Sequence, residues 1–253
     1  MIRSICRQGG VAVLFAVAAA TLAPDAQAQE SVLQHVAEVH IKPGMLSVFE
    51  AAHVVRNGRL ARGGASFPLR SAVSESLVYR FVTPVGDWDG LGRRAEEVGG
   101  MPPAPAGSPD GNTAIDHVDS YIRWTQPELN YQPENPRLQS ADWEALQLVR
   151  IYVQQGKMGD VLDALRDAAA LYERHGVRDS YMVFIRGIGA DGPAVEIQFF
   201  GSSLTDLYQA SDRIAAEVGE EGNQIRSRIG ALARSIEVDN YTIRRDLNYT
   251  PAN

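Results

Sequence analysis

The chain has one cysteine in 253 residues, Cys6, and it precedes an N-terminal apolar run instead of ending it. Residues 1–28 carry Arg3 and Arg7, an apolar run from Val11 to Leu22, and then Ala26-Gln27-Ala28. This is the charge, core and small-residue pattern of a secretory signal peptide. The run is about 12 residues, short of the roughly 20 a spanning helix needs. Removal after Ala28 is therefore expected, Cys6 leaves with the peptide, and no membrane span is expected afterwards. A thiol-free chain excludes thiolate catalysis and thiolate-held metal or haem. It also excludes disulfides, which two domains of about 110 residues do not need to bury adequate cores.

Basic stripes are missing as well. The net charge is −7, and losing Arg3, Arg7 and Asp25 leaves 22 basic and 30 acidic residues, a net charge of −8. Such a surface repels a phosphate backbone, so nucleic acid is not an expected partner. Arginine heavily outnumbers lysine, a bias of GC-rich bacterial genomes, and export would then lead to the periplasm or beyond the cell. There is no G-x-S-x-G elbow, no Walker loop and no H-x-x-x-H pair, and the glycines of Arg186-Gly187-Ile188-Gly189 belong to a hairpin and open no helix, so no cofactor or metal is called for by motif.

What the chain does contain is a long internal repeat. Val118-Asp119-Ser120-Tyr121 followed by Leu129-Asn130-Tyr131-Gln132-Pro133 returns as Val238-Asp239-Asn240-Tyr241 followed by Leu247-Asn248-Tyr249-Thr250-Pro251. Val39-His40-Ile41-Lys42-Pro43-Gly44 matches Ile151-Tyr152-Val153-Gln154-Gln155-Gly156, and Glu97-Val98-Gly99 matches Glu217-Val218-Gly219. A period above 100 residues is too long for a solenoid and indicates a duplicated domain. The expected organisation is a signal peptide over 1–28, a first repeat over 29–124, a proline-punctuated connection over 125–142 and a second repeat over 143–253.

Hydrophobic periods switch in a fixed order within each half. In the second, 146–154 alternates, with Val149, Ile151 and Val153 on one face and Arg150, Tyr152 and Gln154 on the other. A helical stripe follows through Val161, Leu165 and Tyr172 to Gly176, a left-handed cap. Strands are predicted over 180–186 and 194–201. Ser203 and Asp206 start a helix, a further helix covers 223–234, and a last strand covers 236–244. The first half repeats the order at 36–42, 45–56, 67–73, 77–83, 88–98 and 115–124, with a proline- and glycine-rich surface loop over 99–111 in place of the extra helix. The order β-α-β-β-α-β is the ferredoxin-like split unit, so the fold class is α+β with two tandem ferredoxin-like repeats.

That order and the duplication resemble the dimeric α+β barrel superfamily, which includes antibiotic-biosynthesis-monooxygenase-like and NIPSNAP-like domains. The resemblance covers nearly all of the chain after residue 28. It implies that the two sheets pack face to face, here as an intrachain barrel, and it carries over no catalytic residue.

If the apolar strand faces meet helices, the opposite faces point inward. They carry Glu38, His40 and Lys42 in one half and Arg150, Tyr152 and Gln154 in the other, with Glu196 and Gln198 alongside and Arg80 adding a charge. Buried charges must be paired or wet. Two consequences stand side by side: these residues join the sheets, or Glu38, His40, Arg150, Tyr152, Glu196 and Gln198 bind a small organic molecule, Arg150 taking an anionic or carbonyl group. His40 beside Glu38 makes an acid/base pair or a weak metal site. Under an enzymatic reading, a cofactor-independent monooxygenase type, His40 or Tyr152 handles the proton. His53 is read as a satisfied core histidine, and His35 and His117 are placed near each other across neighbouring strands. His175 is read as a helix-end cation; it is the one second-half histidine available for haem, which some relatives in the superfamily, such as the chlorite-dismutase-like proteins, hold on a single histidine. A purely structural barrel is the third functional class.

Overall fold

The computed structural model describes residues 31–189 and 192–252, so the expected signal peptide lies outside the described residues. The first repeat comprises β1 (Leu33–Ile41), α1 (Leu46–Arg62), β2 (Arg70–Ser74), β3 (Val78–Gly86), α2 (Trp88–Gly99) and β4 (Ile115–Thr125). The second comprises β5 (Ala145–Val153), α3 (Met158–His175), β6 (Tyr181–Arg186), β7 (Ala194–Gly201), α4 (Leu204–Leu232) and β8 (Ala233–Ile243). Each is β-α-β-β-α-β. Gly44 and Gly156, the repeated glycines after β1 and β5, both hold φ 77°, a turn conformation that a side chain resists. Gly176 ends α3 at φ 63° with its N–H on the Glu173 carbonyl. The two helices expected after 203 are one long helix kinked at Gly219, where φ 52° and ψ −137° leave the helical region.

The eight strands close into one antiparallel barrel in the order β1-β3-β2-β8-β5-β7-β6-β4. The two four-stranded sheets meet through β2 with β8, where Ala72 faces Ile243, and through β4 with β6, where Arg123 faces Arg186. The repeats therefore pair within one chain. Helices cover the outside. Val39, Ile41, Phe49, Leu60, Tyr79 and Phe81 form one outer core, and Ile151, Val153, Val161, Leu165, Val195 and Ile214 another. Among the described residues, no helix is long and apolar enough to cross a membrane.

The repeated Leu-Asn-Tyr-x-Pro tails each fasten the other repeat. Asn130 Oδ1 accepts the Val183 N–H at 2.7 Å, and the Tyr131 hydroxyl donates to the Val177 carbonyl at 2.7 Å. Asn248 Oδ1 accepts the Ser71 N–H at 2.8 Å, and the Tyr249 hydroxyl donates to the Ala65 carbonyl at 2.8 Å. Single β-bridges, Tyr131 to Tyr181 and Leu69 to Tyr249, complete each latch. Each Asn satisfies a strand-edge donor that would otherwise be stranded, which is why these residue types recur. His53 belongs to the second latch: it is buried, stacks on Phe81 and bonds the Leu247 carbonyl at 3.1 Å. Burial, then the charge of Arg56, lowers its pKa to about 4, so it is the satisfied core histidine expected.

The Val-Asp-x-Tyr match is displaced in space. Glu38 faces Asp119, whereas Arg150, the counterpart of Glu38, faces Glu237 and not Asp239. Seven residues separate Tyr121 from Leu129 but five separate Tyr241 from Leu247, so the later strand is slid by two. A slip of two keeps every side chain on its own face, and the sheet tolerates it.

Candidate functional site

Strand alternation sends Glu38, Arg80, Tyr121, Arg123, Arg150 and Glu196 into the barrel. Glu196, on β7, is fully buried: its Oε2 accepts from Arg80 Nη2 at 2.7 Å and Arg123 Nη1 at 2.6 Å, and its Oε1 from the Tyr121 hydroxyl at 2.6 Å. Glu38 accepts from Arg80 and, at 2.5 Å, from Arg150 Nη2, while Arg150 also pairs with Asp239. Arg186 lies over the Tyr121 ring and Arg123 over Phe184.

Burial pushes both carboxyls up. The guanidiniums of Arg80 and Arg123 outweigh it for Glu196, those of Arg80 and Arg150 outweigh it for Glu38, and both pKa values end below the ordinary range. Burial, then neighbouring Arg80, brings Arg123 down to about 10, the mark of a cation among cations. Arg80–Glu196, Arg123–Glu196 and Arg150–Glu38 all cross from one repeat to the other. The barrel centre is thus a polar staple, and its carboxylate oxygens are engaged by its own arginines.

The six inward candidates separate. Glu38, Arg150 and Glu196 come together in this staple. Gln198 is buried opposite Leu148 and not beside Tyr152. Tyr152 lies toward the strand ends, its hydroxyl donating to Glu237 at 3.1 Å and accepting from Arg186 at 3.3 Å. His40 stands at the far end of β1, stacked on His117. The His35–His117 proximity does not occur: His35 bonds Ser120 at 2.8 Å on the outer face, and His117 partners His40. Tyr121 and Arg123 escaped the sequence reading, although their parity with Asp119 along one strand was the signal for them.

A second site lies on the other side of the second sheet. A cavity of about 350 Å³ opens between the outer faces of β5, β7 and β8 and helices α3 and α4, beside the outer core that Ile151, Leu165 and Ile214 share. Val149, Ile151, Ile197 and Phe199 form its floor, and Leu165, Leu171, Ala210 and Ile214 its roof. Beyond the Gly219 kink, α4 adds Ile225, Arg226 and Ile229. Tyr181, 3% exposed, lines the cavity with a buried hydroxyl that has no hydrogen-bond partner. Tyr131 and Tyr172 stand against its ring at centroid distances of 6.0 and 5.4 Å. Burial, then Tyr172 and Tyr131, raises the Tyr181 pKa, so the phenol stays a donor. His175 is exposed at the end of α3 and does not line this cavity, nor does any other histidine. The His175 haem ligation does not fit this arrangement.

Size and lining fit a small-molecule pocket: apolar walls, a few convergent polar groups and a volume in the usual range of about 300–1,000 Å³. Sequence periodicity places Val149 and Ile151 on the face toward the helices, but a stripe of apolar residues carries no information on whether the opposing helix closes on it.

Taken together, the protein is an α+β barrel of two ferredoxin-like halves with a polar-stapled centre and an apolar cavity under one helical layer. No protein-family model matches the chain, and no curated protein does. Solved structures do. An anthrone oxidase-like protein is similar at TM-score 0.62 and 11% identity, over 89% of this chain and 96% of that one. A candidate monooxygenase from Lactobacillus acidophilus NCFM is similar at TM-score 0.52 and 9% identity, over 88% and 98%. A mutant chlorite dismutase from Candidatus Nitrospira defluvii is similar at TM-score 0.51 and 9% identity, over 85% and 93%. At such identities these are likenesses of fold alone.

Proposed function

We propose that this is an exported protein that binds a small, flat, largely apolar organic molecule between the sheet of its second repeat and helices α3 and α4. The carrying observation is the Tyr181 hydroxyl, buried at the cavity without a partner. An unpaired buried donor costs about 1–3 kcal/mol, and a carbonyl or phenolic oxygen on a ligand relieves that cost. The site lies outside the barrel instead of within it because Glu38 and Glu196 are already engaged by Arg80, Arg123 and Arg150, whereas the cavity offers unfilled apolar surface. Export follows from the N-terminal pattern alone and is tested by finding mature protein that begins at Gln29.

The binding test is a titration of mature protein with tricyclic phenols and anthrone, read by thermal shift. Binding should raise the melting temperature, Tyr181→Phe should weaken it about tenfold, the worth of one hydrogen bond, and Ala210→Phe, which fills the roof, should abolish it. Ala168→Phe serves the same purpose if Ala210→Phe misfolds. Binding that survives both filled cavities sinks the assignment.

A second reading, cofactor-independent oxygenation of the bound molecule, is supported by the likeness to the anthrone oxidase-like protein and the candidate monooxygenase. In it Tyr181 donates a hydrogen bond to the oxygen of the bound molecule, and His40 and Tyr152 have no part: His40 belongs to the first sheet, and Tyr152 points to the face of the second sheet away from the cavity. Oxygen uptake with anthrone that is lost in Tyr181→Phe supports turnover; ligand binding without oxygen uptake leaves a binding protein.

A further inference from the structure

His40 and His117 are direct partners across β1 and β4, and Asp119, two residues beyond His117, shares their face. Their rings stack at 3.9 Å with 16° between planes. Asp119 Oδ2 lies 3.3 Å from His40 Nε2 and 3.8 Å from His117 Nε2, and each of the three residues offers one ligand atom within 4.8 Å of the other two. The remaining nitrogen of His117, Nδ1, is held 2.9 Å from Asp116 Oδ2.

We propose that His40, His117 and Asp119 are the protein ligands of a first-row divalent cation, zinc being the reference ion, and that Asp116 orients His117 from behind. Nitrogen and oxygen ligands about 2.0–2.1 Å from a tetrahedral zinc stand roughly 3.3 Å apart, the spacing of Asp119 from His40, with His117 half an ångström farther from the carboxylate. The stack leaves the two lone pairs nearly parallel. Histidine χ2 is a soft torsion, the rings are half-buried and exposed, and a modest rotation fans both Nε2 atoms onto one ion. A carboxylate on the non-ligating nitrogen fixes the tautomer and raises ligand basicity. Three protein ligands leave a position for water or an anion.

The second repeat cannot build this site. By strand register its counterparts are Tyr152, Ser235 and Glu237, which supply no imidazole. One ion per chain is therefore expected, tying β1 to β4.

Untagged mature protein, stripped with chelator, is titrated with Zn²⁺ by calorimetry and with Co²⁺ by visible absorption. One-to-one binding, d–d bands of a nitrogen- and oxygen-ligated ion, and loss of both in His40→Ala/His117→Ala are expected. Asp116→Asn should weaken binding about ten- to a hundredfold, and His175→Ala should leave it unchanged. Circular dichroism checks folding, and the isosteric, exposed Asp119→Asn supplies a second loss-of-ligand variant. Absence of one-to-one binding, or binding unmoved by the double variant and by Asp119→Asn, overturns the proposal.

Discussion

The two repeats share their strand order and invert their charges. Glu38 faces Arg80 across β1 and β3, and Arg150 faces Glu196 across β5 and β7. In the closed barrel each residue meets its own counterpart: Arg80 pairs with Glu196, and Arg150 with Glu38. A symmetric pair of identical subunits brings a residue against its own copy near the two-fold axis. Arginine would there meet arginine, and like charges in a low-dielectric centre repel strongly. Separate encoding of the halves removes that conflict, so the inversion is a device available to one chain and denied to a homodimer.

The helical layers differ in the same instructive way. In the first repeat α2 stops at Gly99 and irregular chain follows, with Met101 packing onto the outer core. In the second, α4 bends at Gly219 and runs on to Leu232, and its far half roofs the cavity. Charge inversion stabilises the centre, and the longer helix opens space at the edge. The two divergences do different jobs.

The largest expected effect comes from orphaning the central cations. Glu196→Ala leaves Arg80 and Arg123 buried without their shared carboxylate, and about 3–5 kcal/mol should be lost in urea denaturation. Removing the exposed Arg174–Glu221 pair should change stability by less than about 1 kcal/mol. Equal effects would erase the distinction between centre and surface.

The latches test whether the repeats fasten each other equally. Asn130→Ala exposes the Val183 donor and Asn248→Ala the Ser71 donor, each at about 1–3 kcal/mol. The double variant should lose the sum. A much smaller loss in one would show that only one tail holds its partner.

Acid sensitivity should be unequal too. The folded-state pKa of His53, about 4, lies below its ordinary 6.5, so the unfolded chain takes its proton first and stability falls as pH drops from 6.5 toward 4. His53→Gln should flatten part of that slope in melting scans. His35, also lowered to about 4 by burial, then Arg94 and Arg56, keeps the rest. Glu38 and Glu196, with lowered values, contribute stability that is lost only as pH falls below their ordinary 4.5.

The smallest contrast concerns two tyrosines. Tyr131→Phe removes a bond to the Val177 carbonyl and should cost about 1 kcal/mol. Tyr181→Phe removes a hydroxyl that bonds nothing and should leave the free protein unchanged or slightly more stable. A clear loss would reveal a partner for that hydroxyl and weaken the ligand proposal.

Strand order, helix placement and inward parity were legible because period-two and period-3.6 patterns follow directly from backbone geometry. Glu38, Arg150 and Glu196 could be placed together on parity alone. The slide of β8 against β4 was not legible, since a two-residue slip preserves parity. Nor was the cavity: Leu165 and Ile214 read as core residues whether or not the layers touch. His40 and His117 required the exact register of two strands that are 77 residues apart in sequence.

The central claim is that opposite charge on equivalent positions closes the barrel. The direct measurement is a double-mutant cycle of Arg80→Met, Glu196→Gln and the double variant, followed by urea denaturation. Each single variant leaves a buried charged partner uncompensated and should lose about 3–5 kcal/mol, and the double variant should lose clearly less than the sum, with a coupling energy of about 2 kcal/mol. Losses that merely add would contradict it.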